Sequence, residues 1–241
     1  MKTIVITGAS SGIGQETALV LTKQGFNLLG VARSEANFNR AKERILSENP
    51  NAKITFFVAD LMQQREVVRV AGEINQYLNE KCNGELYALI NNAGCVRSWY
   101  MTTEEGYEQQ FALNHLAGFL LTYKLLPALV KANGRVIMTG SQSHKGIKVR
   151  WDDVMLSRGY NPLTAYKQSK LCNMLFAKGL NDRYANKGIR AYVVDPGLVK
   201  TDIGNKDTGS LVSFIWSLRK KHGVSPAVPA KTYAYLCGQE V

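Results

Sequence analysis

Thr3-Ile4-Val5-Ile6-Thr7-Gly8-Ala9-Ser10-Ser11-Gly12-Ile13-Gly14 runs from a β-branched stretch straight into three glycines spaced TGxxxGxG. The first five residues read as a strand, and apolar positions over 13–24 recur at helical spacing. A glycine turn between a strand and a helix has a physical use. Gly8 can turn the chain off the strand, Gly12 lets the backbone approach a pyrophosphate, and Gly14 lets the helix pack close to the sheet. The helix then offers its free N–H groups and positive dipole end to the phosphates. Three glycines alone also fit a plain turn; their place between strand and helix gives them weight.

Further strand-like runs follow at 27–32, 53–59, 86–91, 134–140 and 189–195, with helical patterns near 36–48, 62–80, 105–131 and 164–186 and a last helix from Pro226 to Cys237. Five of the six strand runs lack strict polar–apolar alternation, which suits strands buried on both faces. Alternating β and α predicts an α/β fold. It is a doubly wound parallel sheet with helices on both faces, in a single domain over 1–241. Ligands of such sheets bind outside the carboxyl ends of the strands, where the strand order reverses. The motifs below all fall at a strand's C-terminal end or on the helix beyond it.

The 241 residues are 45% hydrophobic and 20% charged, as in a soluble globular protein. No window approaches the ~18 consecutive apolar residues of a spanning helix. The start lacks the features of a signal peptide, so a cytoplasmic protein is expected. Cys82, Cys95, Cys172 and Cys237 share no metal-ligand spacing, and His115, His144 and His222 do not complete a site. Four reduced thiols and no metal are expected. The formal charge of +11 is spread along the chain, with Arg219-Lys220-Lys221 the one tight run. A solvated basic surface is the reading, and no nucleic-acid partner is expected, because no reader motif is present.

The end of the second strand run reads Gly30-Val31-Ala32-Arg33-Ser34. An NAD site needs a carboxylate there for the ribose 2′-hydroxyl. Arg33 can instead pair with a 2′-phosphate, helped by Ser34, which predicts NADP(H) as cofactor over NAD(H). Asp60 can accept from the adenine amino group while Leu61 touches the ring. Asn91-Asn92-Ala93-Gly94 permits close backbone approach, although Asn91 and Asn92 can equally satisfy strand-end backbone groups.

Tyr166-Lys167-Gln168-Ser169-Lys170 is a YxxxK motif in a helical stretch, so Tyr166 and Lys170 share a face. An ammonium there stabilises phenolate and makes the tyrosine a usable proton donor or acceptor. YxxxK by itself is common by chance. Ser141 follows the fifth strand run and can hydrogen-bond a substrate oxygen as charge develops on it. Asn114, inside a helix where an amide is mildly unfavourable, is placed to hold a water near Lys170.

Together TGASSGIG, NNAG, Asn114, Ser141 and YKQSK resemble the short-chain dehydrogenases/reductases, most closely the retinol dehydrogenase-like branch. The likeness runs from about Met1 to Ile203 and includes TEEGYEQQFALNHLAGFLLTYKLLPAL and VVDPGLVKTDI. The resemblance implies a Rossmann fold. It makes Tyr166 the general acid/base, Lys170 its partner and ribose ligand, Ser141 the substrate polariser and Asn114 the support of a relay water. It adds Gly8, Ser10, Gly12, Ile13, Arg33, Asp60, Leu61, Asn91, Ala93, Gly94, Pro196, Gly197 and Thr201 as cofactor contacts. Gly140 departs from the family, where many members carry another serine; no effect is expected while Ser141 remains. Members of the branch usually continue beyond the last helix, so the tail is expected to be truncated or short.

The substrate is expected to be a small lipophilic carbonyl or alcohol. The segments after Gly94, Ser141 and Gly197 supply Trp99, Tyr100, Trp151, Leu156, Leu198, Val199, Phe214 and Trp216 as pocket candidates. The stretch 198–225 reads as a substrate segment. Within it, 211–221 can be a lid, a membrane-surface patch or a partner contact. Many relatives form homo-oligomers. A non-catalytic NADP(H)-sensing protein of the same fold is the alternative, disfavoured because all four catalytic-type residues are present.

Overall fold

Strands β1 (Thr3–Thr7), β2 (Asn27–Ala32), β3 (Ile54–Val58), β4 (Ala88–Asn91), β5 (Arg135–Thr139) and β6 (Arg190–Val194) form one sheet in the order β3-β2-β1-β4-β5-β6. All five pairings are parallel. The computed structural model describes residues 1–200 and 223–239. Among them the main helices are α1 (Gly12–Lys23), α2 (Glu35–Glu48), α3 (Gln64–Lys81), α4 (Gln109–Lys131), α5 (Pro162–Tyr184) and α6 (Ala227–Gly238).

Every residue of β1, β2, β4 and β5 is buried. Side chains along a strand alternate between faces. Val5 of β1 joins Leu29, Leu89 and Val136 in a core beneath α3, α4 and α5. Its neighbours Ile4 and Ile6 join Leu28, Ile90 and Ile137 beneath α1, α2 and α6. Both faces are apolar because both are covered, which is why the strand runs show no alternation. Each fully buried aliphatic contributes about 1.5–3 kcal/mol relative to exposure. The edge strand β3 is only half buried, and its last residue, Val58, is exposed.

Strand order reverses at β1: β2 and β3 lie on one side, and β4, β5 and β6 on the other. A crevice therefore opens above the carboxyl ends of β1 and β4.

The helix expected from residue 105 begins later. Thr103 N bonds Tyr107 O at 2.8 Å and Gly106 N bonds Thr103 O at 3.0 Å, closing a turn in which Gly106 has a φ of +85°. Glu108 then caps α4. Within α4, Ala112–Leu116 forms a single π turn. By length and composition α4 could cross a membrane, but here it is a core helix with Leu121, Leu125 and Leu129 fully buried. Helix α5 starts at Pro162, where a missing N–H costs nothing, and Asn161 Oδ1 caps it by accepting from Leu163 N and Thr164 N, both at 3.0 Å. All four cysteines are free thiols.

Candidate active site

The glycine turn is pinned to the next strand: Gly8 N donates to Val31 O at 2.9 Å. Gly8 and Gly12 have φ of +69° and +54°, a region other residues enter only with strain. A Cβ on Gly14 would lie 2.2 Å from Gly8 O, so only glycine lets α1 approach this closely. Across the switch point, Thr7 Oγ1 accepts from Asn92 N at 2.9 Å and Ala93 N at 3.0 Å, and Asn92 Nδ2 donates to Thr7 O at 3.1 Å. At the start of α1 the Ser11 side chain makes no capping bond. The first-turn N–H groups are thus left for a ligand, and the cradle fits a pyrophosphate.

A cleft of about 510 Å³ runs from this turn along the strand ends. Gly8, Ser10, Gly12 and Ile13 line it. Arg33, Asp60 and Leu61 line it too, and Asp60 Oδ1 accepts from Met62 N at 3.1 Å to fix the loop after β3. Ala93, Gly94, Pro196, Gly197, Tyr166 and Lys170 line the remainder. Thr201 and the segment 211–221 lie outside the described residues.

Asn91 is a correction. Its side chain is buried and donates to Thr122 Oγ1 at 3.1 Å, under the sheet and off the cleft. The next residue, Asn92, lines the cleft in its place. The last residue of β4 must point one way or the other, and the pleat turned Asn91 towards α4. Sequence reasoning also missed Asn37 and Arg44, which line the same cleft as Arg33. Arg44 Nη1 donates to Gln15 Oε1 at 3.0 Å, and Arg44 Nη2 pairs with Glu16 Oε1 at 2.6 Å. The signal available was weak: an arginine well inside α2 reaches the site only because α2 packs beside α1.

Lys170 is almost fully buried, with its Nζ 5.5 Å from the Tyr166 ring centre. It donates to Thr139 O at 3.1 Å, and burial pulls its pKa down to about 8. Asn173 Nδ2 bonds the same carbonyl at 3.1 Å and Asn114 O at 2.9 Å. The π turn holds Asn114, and turns of this kind often mark functional sites. Its side chain is committed elsewhere: Oδ1 accepts from Cys95 N at 2.7 Å, and Nδ2 donates to Cys95 O and Ser169 Oγ. The amide expected to hold a water is therefore structural. The main-chain carbonyl of Asn114 is the group linked, through Asn173 and Thr139, to Lys170. Cys95 lines the cleft, but burial pushes its thiol up to about 12, so it stays neutral.

Ser141 directly follows Gly140, which lines the cleft; Ser141 itself is not among the lining residues. Its Oγ accepts from Ser143 N at 3.3 Å and from Ser143 Oγ at 2.9 Å. Both bonds use acceptor capacity, which leaves the Ser141 proton to give. A Cβ on Gly140 would lie 2.5 Å from Val193 Cγ1, so glycine here matches the bulk of its neighbour on β6.

Of the expected substrate-pocket residues, only some line this cleft. Trp99, Tyr100, Trp151 and Leu156 are not among the residues lining it; Leu156 is buried and Trp151 is 76% exposed. Leu198 and Val199 do line it. Phe214 and Trp216 lie outside the described residues.

Residues 2–210 match the family model described as short chain dehydrogenase. The chain belongs to the short-chain dehydrogenase family. Alcohol–carbonyl oxidoreduction by hydride transfer is the chemistry that follows. This short-chain dehydrogenase is 34% identical to retinol dehydrogenase 13 of Homo sapiens over 99% of its own length and 72% of that protein's. It is 35% identical to retinol dehydrogenase 12 of Mus musculus over 90% of its length and 67% of that protein's. Among solved structures it resembles the alcohol dehydrogenase of the archaeon Thermococcus sibiricus complexed with 5-hydroxy-NADP, at TM-score 0.76 and 20% identity over 100% of this chain and 92% of that one. Levodione reductase is similar in fold, at TM-score 0.77 and 21% identity over 98% and 90%.

Proposed function

We propose that this short-chain dehydrogenase is an NADP(H)-dependent oxidoreductase that interconverts a lipophilic aldehyde or ketone and its alcohol. The observation that carries the reading is Lys170, a buried cation one helical turn from Tyr166, in the same cleft as the glycine turn.

The glycine turn and the start of α1 would hold the pyrophosphate. Asp60 and Leu61 would hold the adenine, and Pro196 and Gly197 the nicotinamide end. Arg33, Arg44 and Asn37, which line the same cleft, would meet a 2′-phosphate, which supports NADP(H) over NAD(H). Thr201 is proposed as a further contact on the family pattern alone. The bound dinucleotide supplies or accepts the hydride.

In reduction, Ser141 donates a hydrogen bond to the carbonyl oxygen and strengthens it as negative charge grows there. Tyr166 gives its phenolic proton to that oxygen. The resulting phenolate is stabilised by the Lys170 ammonium, which Thr139 O holds in place. The carbonyl of Asn114, bonded by Asn173, would also hold a water through which the proton is replaced.

Leu198 and Val199, together with the retinol dehydrogenases at 32–35% identity, support an apolar substrate. The test is oxidation of NADPH against NADH with a panel of aliphatic, aromatic and polyene aldehydes and ketones. Consumption of NADPH with apolar members is expected. No turnover of any member overturns the reading.

A further inference from the structure

Glu108 takes no part in the chemistry above, yet its carboxylate is only 1% exposed. One oxygen accepts from Gln110 N at 3.0 Å and the other from Phe111 N at 2.6 Å, which caps α4. The first oxygen also accepts from the Tyr160 hydroxyl at 3.0 Å. Tyr160 directly precedes Asn161, the cap of α5. Gln110, itself fully buried, spans the same gap and donates to the Tyr160 hydroxyl at 2.7 Å and to Pro162 O at 3.1 Å. Three side-chain bonds thus join the start of α4 to the start of α5.

Burying a carboxylate is costly unless donors replace its water. Burial pushes the Glu108 carboxyl up from the usual range, opposed by the two backbone N–H groups, by Tyr160 and by the nearby Arg97. A solvent-exposed serine or aspartate would cap α4 without that cost. What Glu108 adds is the bond to the other helix.

The spacing shows what that bond controls. Asn114 lies six residues beyond Glu108 on α4, and Tyr166 lies six residues beyond Tyr160 on α5. At that level the helices are joined again, by Asn114 Nδ2 to Ser169 Oγ at 3.2 Å and by Asn173 Nδ2 to Asn114 O at 2.9 Å. Neither helix can slide along the other without straining both sets. We propose that the Glu108–Tyr160 bond is a positioning device: it fixes the register of α4 against α5 and so places the Asn114 carbonyl relative to Tyr166 and Lys170. The proposal rests on the acid/base reading of Tyr166. Displacements near 1 Å at a remote support can slow chemistry about 100-fold.

Tyr160→Phe deletes one hydroxyl and leaves both capping bonds of Glu108 and the edge contact of the ring with Tyr100 at 5.6 Å. The expected result is a kcat lower by about 10-fold, with the carbonyl KM and the NADPH Kd (by fluorescence titration) within about twofold of wild type. The solvent deuterium isotope effect on kcat should rise, because proton delivery through the displaced carbonyl becomes slower relative to hydride transfer. Glu108→Gln keeps an oxygen for the Tyr160 hydroxyl and should retain most of kcat. If it folds poorly, Tyr160→Phe alone decides. Measurements are made well below each protein's Tm. A Tyr160→Phe protein with lowered Tm but wild-type kcat and isotope effect overturns the proposal; so does parallel loss of kcat and NADPH binding, which would mean general loosening of the cleft. A wild type that turns over no carbonyl overturns the functional reading and this proposal with it. An active wild type matched by Tyr160→Phe overturns this proposal alone.

Discussion

Lys170 on α5 and Thr139 at the end of β5 are joined by one hydrogen bond, from the lysine Nζ to the threonine carbonyl at 3.1 Å. The bond anchors the helix that carries Tyr166 to the sheet, and it holds an ammonium out of water. That ammonium loses its proton at about 8 in the folded chain, against 10.5 for an ordinary lysine, because of burial.

Stability should therefore depend on this lysine in a pH-dependent way. Between pH 8 and 10.5 the unfolded chain binds more protons at Lys170 than the folded chain does. Its contribution to stability rises with pH across that window, and the cost of burying the charge is full below it. Lys170→Met should melt higher than wild type at pH 7, with the gap narrowing by about pH 10. Thr139 O keeps Asn173 as a donor, so the substitution strands no carbonyl. Thermal melts at the two pH values check this; a variant less stable than wild type at pH 7 contradicts it.

Tyr166→Phe removes the proposed proton donor while keeping the ring. The kcat should fall by roughly 10²- to 10⁴-fold, the usual worth of general acid–base catalysis. NADPH affinity should hold, since the cofactor cleft is otherwise intact. Steady-state kinetics with fluorescence titration separates the two, and retained turnover would remove Tyr166 from the chemistry.

Arg44→Ala should weaken NADPH binding about 10-fold and leave NADH almost unchanged, consistent with loss of one charge-assisted contact to the 2′-phosphate. The variant also leaves Glu16, paired with Arg44 at 2.6 Å, as a bare carboxylate beside that phosphate. Glu16→Gln in the same chain should restore part of the affinity. Arg33→Ala should behave like Arg44→Ala. Equal losses for both cofactors would mean that neither arginine reads the phosphate.

Gly14→Ala tests the close approach of α1. Its Cβ would sit 2.2 Å from Gly8 O, a backbone atom with little room to move. A loss of about 1–3 kcal/mol in stability is expected from the overpacking, together with weaker cofactor binding as the turn shifts. Denaturant melts and a cofactor titration measure both effects, and an unchanged protein would show that the turn yields freely.

The strands were legible because burial on both faces leaves a mark in one dimension: runs such as Thr3–Thr7 and Asn27–Ala32 carry no alternation. Tyr166 and Lys170 were legible because helical spacing alone puts them on one face. Asn114 was legible as a position, but its work was not. A π turn interrupts the regular helix at this residue, and nothing in Ala112–Leu116 announces one. Where Trp99 and Trp151 face was not legible, because the path of a loop decides it; here both are exposed, Trp151 at 76%.

By itself the sequence determined the parallel α/β architecture, the glycine turn and the pairing of a phenol with an amine, since each depends on residues near one another along the chain. Only the tertiary structure decided that Arg44 lines the same cleft as Arg33, that Asn92 rather than Asn91 faces it, and that Glu108 reaches Tyr160. Those relations are between elements, and packing geometry sets them: which way a pleat turns, how closely two helices lie, and which buried donor must answer which acceptor.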